Sequence, residues 1–164
     1  MITQELLHQI FDYRDGHLFW KIAKPKVAKN SRAGSAFTNK YIQVKLNQKR
    51  YYIHRLIYLY HHGILPQYID HIDGNSANNK IENLRPATQS QNLGNSKQKN
   101  NNTSGYKGVC WDGQRKKWLA RIQIHYQFIH IGRYNSPKEA AIAYNNAALH
   151  YFGKYAKLNE VQHG

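Results

Sequence analysis

The sequence predicts an α+β protein built in two parts, and three observations predict it. Over the first 95 positions the apolar residues switch between helical spacing and strand-like alternation. A polar, basic, low-complexity stretch, LGNSKQKNNNTS over 93–104, then breaks the pattern. Beyond it a new set of alternating segments ends in one long helical segment. The division expected from these signals is a first domain over residues 1–95, a linker over 96–104 and a second domain over 105–160. A chain of 164 residues is long enough for one domain or two small ones.

Taken in order, residues 2–13 read as a short helix, with Thr3 as its cap and Leu6, Leu7, Ile10 and Phe11 on one face. Arg14-Asp15-Gly16 reads as a turn, residues 17–22 as a strand, and residues 23–39 as a basic loop. Two strands, 41–46 and 50–53, flank a turn at Asn47-Gln48. Residues 54–62 return to helical spacing and stop at Gly63. Extended pieces follow over 68–71 and 81–87 around the turn Asp73-Gly74-Asn75, and a helix over 89–95 is capped by Thr88 or Ser90. In the second domain, strands are expected over 106–111, along the alternation of Trp118, Ala120, Ile122 and Ile124, and over 127–134. Ser136-Pro137-Lys138-Glu139 supplies an N-cap, a proline at the first helical position and a capping-box glutamate. The helix it opens runs to about residue 151, with Ala140, Tyr144, Ala147, Ala148 and Tyr151 on one face.

Composition narrows the function. The formal net charge of +15 favours a polyanionic partner, and nucleic acid is the first candidate. Cys110 is the single cysteine, which excludes an internal disulfide and suits a reducing cytosol. No apolar run approaches the roughly 20 residues of a membrane span, and the first 16 residues do not read as a signal peptide. A zinc module fails on spacing, because no cysteine pair is present.

The densest polar cluster is YIDHIDGNSANNKIENLRPATQSQNLGN, residues 68–95. Asp70 and His71 are adjacent, Asn83 follows His71 by twelve residues and Asn92 follows Asn83 by nine. These residue types suit phosphodiester hydrolysis. A free histidine has a pKa of about 6.5, so at neutral pH it accepts a proton from water. Asp70 and Asn92 offer hard oxygen atoms to Mg²⁺ or Mn²⁺. Adjacent residues point to opposite faces of a regular strand, so both act on one phosphate only from a strand end or bend. Taken alone, Asn83 and Asn92 read better as turn and capping residues. Asp73, Asn75, Asn78 and Asn79 read as turn formers outside the catalytic set.

The spaced pattern resembles the HNH endonuclease family, together with His54-Arg55-Leu56 upstream and Glu82-Asn83-Leu84-Arg85 downstream. The resemblance implies a ββα-metal core over about 68–95 and a metal-dependent DNA endonuclease like the free-standing homing enzymes of phages. It implies His71 as general base, Asn83 orienting His71 through a hydrogen bond, and Asp70 and Asn92 as metal ligands. It further implies double-stranded DNA as substrate, a monomer or a DNA-assembled dimer, and action in the cytoplasm of an infected bacterial host. The alternative is a non-catalytic DNA-binding regulator on the same scaffold. Residues 105–159 resemble the Apetala-two (ethylene-response-factor) DNA-binding domain through Gly105-Tyr106-Lys107-Gly108-Val109, Trp111, Trp118, Ala120-Arg121-Ile122 and Ile131-Gly132-Arg133-Tyr134. Glu139-Ala140-Ala141, Ala143-Tyr144 and Phe152-Gly153-Lys154-Tyr155-Ala156 extend the likeness. That implies a three-stranded antiparallel sheet packed on one helix and lying in the major groove. Lys117, Arg121 and Gln123 face outward by alternation, and Lys107, Trp111 and His130 join them by resemblance.

Overall fold

Thr3 opens the fold, its side chain accepting the Leu6 amide to cap α1 (Gln4–Ile10). The computed structural model describes residues 2–23, 25–37, 41–98 and 101–161. Positions 24 and 38–40 of the expected basic loop and 99–100 of the expected linker lie outside the described residues. The chain divides into two compact units, Met1–Pro86 and Ala87–Gly164.

In the first unit α1 stops at residue 10, short of the expected 13, because Phe11 turns extended and starts β1 (Phe11–Arg14). That strand pairs antiparallel with β2 (His17–Trp20), and the Phe11 and Trp20 rings meet at 4.6 Å in the core. Pairing with β2 outweighs the helical spacing of Phe11. A three-stranded antiparallel sheet follows, in the order β3 (Ser35–Phe37), β4 (Tyr41–Leu46), β5 (Lys49–Tyr52). Asn47 and Gln48, with φ of 45° and 64°, form the two-residue turn between β4 and β5. β3 lies inside the stretch expected to be a loop. It is only three residues long, with Ser35 and Ala36 offering little strand signal, and it forms as an edge strand on β4.

The next helix, α2 (Ile53–His62), is the centre of this unit. Leu56 and Ile57 are buried with Leu7, Phe11, Leu18 and Val44, and Gly63 ends the helix at φ 68°. Behind it lie β6 (Tyr68–His71) and β7 (Leu84–Ala87), paired as a two-stranded sheet, with a 3-10 turn over Ile81–Asn83.

The second unit starts with α3 (Gln89–Asn95), which Thr88 and Gln91 close with a complete capping box. β8 (Val109–Asp112), β9 (Lys117–Ile124) and β10 (Gln127–Tyr134) form an antiparallel sheet in the order β10-β9-β8. Ser136 caps α4 (Pro137–Phe152). Ala140, Ala141, Tyr144, Ala148 and Phe152 of α4 are buried with Val109, Ala120 and Ile122 of the sheet. Phe152, rather than the half-exposed Tyr151, completes the buried face. Gly108 is required where it stands: its φ is 77°, and a Cβ there would lie 2.1 Å from the Tyr144 ring. Among the described residues, no helix is long and apolar enough to cross a membrane.

Candidate active site

Strand β6 buries three consecutive residues, Ile69, Asp70 and His71. Ile69 joins the apolar core, and His71 is the last residue of the strand. The chain turns at once, with the Gly74 amide donating to the His71 carbonyl at 2.8 Å. Asp70 and His71 therefore stand where a strand gives way to a turn, the placement that two adjacent reactive side chains require.

Asp70 is 6% exposed and is held by Arg85 of the neighbouring β7. Nε of Arg85 donates to Oδ2 at 2.8 Å, and Nη2 lies 2.7 Å from the same oxygen. A carboxylate withdrawn this far from water needs such a partner. Sequence reasoning gave Arg85 no role. Its one signal was its position on a segment able to pair with that of Asp70.

The His71 ring is held by an asparagine, though not the expected one. Oδ1 of Asn79 lies 2.9 Å from Nε2 of His71, and Asn79 is only 2% exposed. Asn83 turns its side chain to the preceding loop instead. Its Oδ1 accepts the Asp73 amide at 3.0 Å, and its Nδ2 donates to Asp73 Oδ1 at 3.0 Å and to the Asn78 carbonyl at 2.8 Å. The physical reason is that loop 73–78 presents backbone groups needing partners, and Asn83 enters as its brace. Asn79, read as a turn former, leaves the loop with its amide directed at the imidazole. Spacing alone does not distinguish the two asparagines.

Asp73 anchors the same loop. Burial opposes its charge, but hydrogen bonds from the Asn78 side chain, the Asn75 amide and the Asn83 side chain hold its carboxyl below the usual range. His54, the second residue of α2, lies with its ring 5.1 Å from that of His71. Burial, then the neighbouring His71 and Arg55, pull its pKa down to about 3, so it is neutral at physiological pH.

Asp70 and His71 are the expected pair and stand together in the first unit. Asn92 lies on α3, in the second unit. Among the described residues, no group of three or more His, Cys, Asp or Glu side chains is placed to hold a metal ion. A hard cation fits the oxygen chemistry of Asp70, but it must share the carboxylate with Arg85 or displace it.

In the second unit the register Arg121↔His130 and Gln123↔Phe128 puts these four residues on the outer side of the sheet. The Arg121 guanidinium lies 4.5 Å above the Phe128 ring, which is 60% exposed. Lys117 bonds the Asn135 side chain. Two expected outer residues are corrected. Lys107 turns its ammonium to the carbonyls of Leu93 and Gly94 at the end of α3, at 3.1 and 2.5 Å. Burial, with Lys157 nearby, lowers its pKa to about 8. Trp111 pairs in register with Trp118, on the helix side of the sheet, with the rings 5.1 Å apart; it stays half-exposed because it sits near the end of β8.

The HNH endonuclease family matches residues 51–93, the segment that carries the buried Asp70–His71 pair at a strand end and the asparagines that brace it. The matched segment runs from β5 through α2, β6 and β7 into α3. The chain is 44% identical over 62 residues to Protein 3.8 of Escherichia phage T7, covering 37% of this chain and 51% of that protein. It is 34% identical over 112 residues to an uncharacterized HNH endonuclease of Acanthamoeba polyphaga mimivirus, covering 66% of this chain and 57% of that protein. The chain thus spans about half the length of the curated relatives it matches. No solved structure matches it significantly.

Proposed function

We infer that this protein is a metal-dependent DNA endonuclease that hydrolyses phosphodiester bonds and is of the free-standing homing type. The observation that carries the reading is the Asp70–His71 pair at the end of β6, with Asn79 on the imidazole, inside the segment that matches HNH endonucleases. The Asn79 oxygen accepts from Nε2–H, so the ring proton is on Nε2 and the lone pair on Nδ1. In that tautomer His71 takes a proton from the attacking water through Nδ1. Asn79 keeps the ring from turning, and Asn83 keeps the loop that carries Asn79 in place. Asp70 and Asn92 are the residues that would hold Mg²⁺ or Mn²⁺. Such a cation, when bound, stabilises negative charge on the phosphate and on the departing 3′ oxygen.

The second unit supplies affinity and position on duplex DNA, in the manner of an Apetala-two domain. Arg121, Gln123 and His130 face outward for base edges, and Lys117 lies on the same side of β9 for phosphate. The viral relatives fit action in an infected host. The sequence contains one adjacent Asp-His pair, so on this reading a monomer nicks one strand and a double-strand cut takes a dimer or two events.

The Arg85–Asp70 pair favours a second reading, a DNA-binding regulator whose carboxylate is satisfied without metal. Supercoiled plasmids carrying phage DNA separate the two. The endonuclease converts them to open circle or linear form with Mg²⁺ or Mn²⁺, and EDTA, Asp70→Ala and His71→Ala each stop it. Binding without cutting under both metals supports the regulator.

A further inference from the structure

The sheet β3-β4-β5 sends Val44 and Leu46 into the core, so its other face is turned away from it. The register Gln43↔Tyr52 and Lys45↔Arg50 puts these four residues on that face, and alternation along β4 adds Tyr41. Tyr41 and Tyr52 are 36% and 41% exposed and meet edge to face at 5.5 Å. Tyr52 stacks on His54 at 5.6 Å, and Tyr41 lies 5.3 Å from the same ring. His54 in turn touches His71 at 5.1 Å, while Tyr41 is itself 6.3 Å from His71. Four rings thus form one continuous patch from the buried imidazole at the candidate active site to solvent.

Two tyrosines that served only the core would be covered. These keep over a third of their surface in water beside two cationic side chains, Lys45 and Arg50. Exposed rings next to cations match a nucleic-acid strand, which offers base faces for stacking and phosphates for the charges. We propose that Tyr41 and Tyr52 form a stacking ledge for a nucleobase adjoining the phosphate at His71, so that the first unit grips the strand to be cut through its own aromatic side chains. The ledge makes Tyr41 and Tyr52 positioning residues of the endonuclease reading, on which this inference rests. Stacking itself needs neither metal nor cleavage.

The test uses the full chain in EDTA with mixed-sequence DNA containing 5-iodo-deoxyuridine, irradiated to link that base to the aromatic side chain on which it stacks. The expected result is a crosslink to Tyr41 or Tyr52, located by mass spectrometry in the tryptic peptides 41–45 and 51–55. The double variant Tyr41→Leu/Tyr52→Leu should lose it and bind DNA about tenfold more weakly, whereas Tyr41→Phe/Tyr52→Phe should stay within about twofold of the parent. Thermal melting checks that both variants are folded. Crosslinks confined to the second unit, no crosslinks at all, or leucine variants that bind like the parent overturn the ledge. A parent that crosslinks at Tyr41 or Tyr52 but cuts no plasmid overturns the endonuclease and leaves the ledge standing.

Discussion

The oxygen of the Asn79 side chain lies 2.9 Å from Nε2 of His71, and both residues are buried, at 2% and 6% exposure. A hydrogen bond shut away from water fixes ring orientation and tautomer together, because no solvent molecule is available to replace the lost acceptor. Asn79→Ala should therefore slow plasmid cleavage by at least about tenfold, at a stability cost of about 1–3 kcal/mol. Single-turnover rates and denaturant melts read the two effects separately. An unchanged rate in a folded variant would remove Asn79 from the site.

Arg85 and Asp70 form an ion pair whose side chains are 15% and 7% exposed. Removing one partner leaves the other charge buried and uncompensated, so Arg85→Met should destabilise the protein by about 3–5 kcal/mol. If Asp70 receives a metal, Mg²⁺ or Mn²⁺ should raise the melting temperature of this variant more than that of the parent, because the cation takes over the missing charge. Equal shifts in the two proteins would speak against Asp70 as a ligand.

His54 makes stability depend on pH. In the folded chain it stays neutral down to about pH 3, whereas an unfolded histidine takes up a proton near pH 6.5. The unfolded state thus binds more protons between these values, and stability falls as pH drops through 6.5, by up to about 1.4 kcal/mol per pH unit. His17 and His61, whose pKa values are also lowered chiefly by burial, act in the same direction. Urea melts from pH 4 to pH 7 should show this slope, and His54→Phe should flatten it. An equal slope in the variant would place the proton uptake elsewhere.

Variants at Lys107 and Arg121 test folding and DNA binding of the second unit separately. Lys107 is committed to the carbonyl end of α3, so Lys107→Met should lower the melting temperature and leave DNA affinity within about twofold. Arg121 is exposed on the outer side of β9, so Arg121→Ala should cost about 1–3 kcal/mol of specific binding if it reads a base. Competition binding with two unrelated sequences distinguishes this from a phosphate contact, for which both sequences would weaken alike.

Much of this arrangement was legible in the sequence where local chemistry decides. Thr3, Thr88 and Ser136 act as caps, and Gly63 ends its helix, because capping depends on a residue and its immediate neighbours. The Asp70–His71 pair stood out because several spaced matches converged on it. What stayed hidden depends on distant partners. Phe11 fits a helix until Trp20 is placed opposite it, and Trp111 fits an outward face until its register with Trp118 is known. Asn79 and Asn83 are the same residue type four positions apart. Only the path of loop 73–78 decides which one meets the imidazole.

The family match ends at residue 93, yet α3 is built into the second unit. Gly94 has no room for a side chain, since a Cβ would come within 2.6 Å of the Phe152 ring, and its carbonyl accepts both the Lys157 amide and the Lys107 ammonium. In evolutionary terms the boundary along which this chain can be recombined does not run through the polar stretch after residue 95. An exchange there would hand the new partner a helix stripped of the surface it was shaped for. A productive crossover has to fall near the Pro86–Ala87 junction, so an exchange of the second unit carries α3, and Asn92 with it.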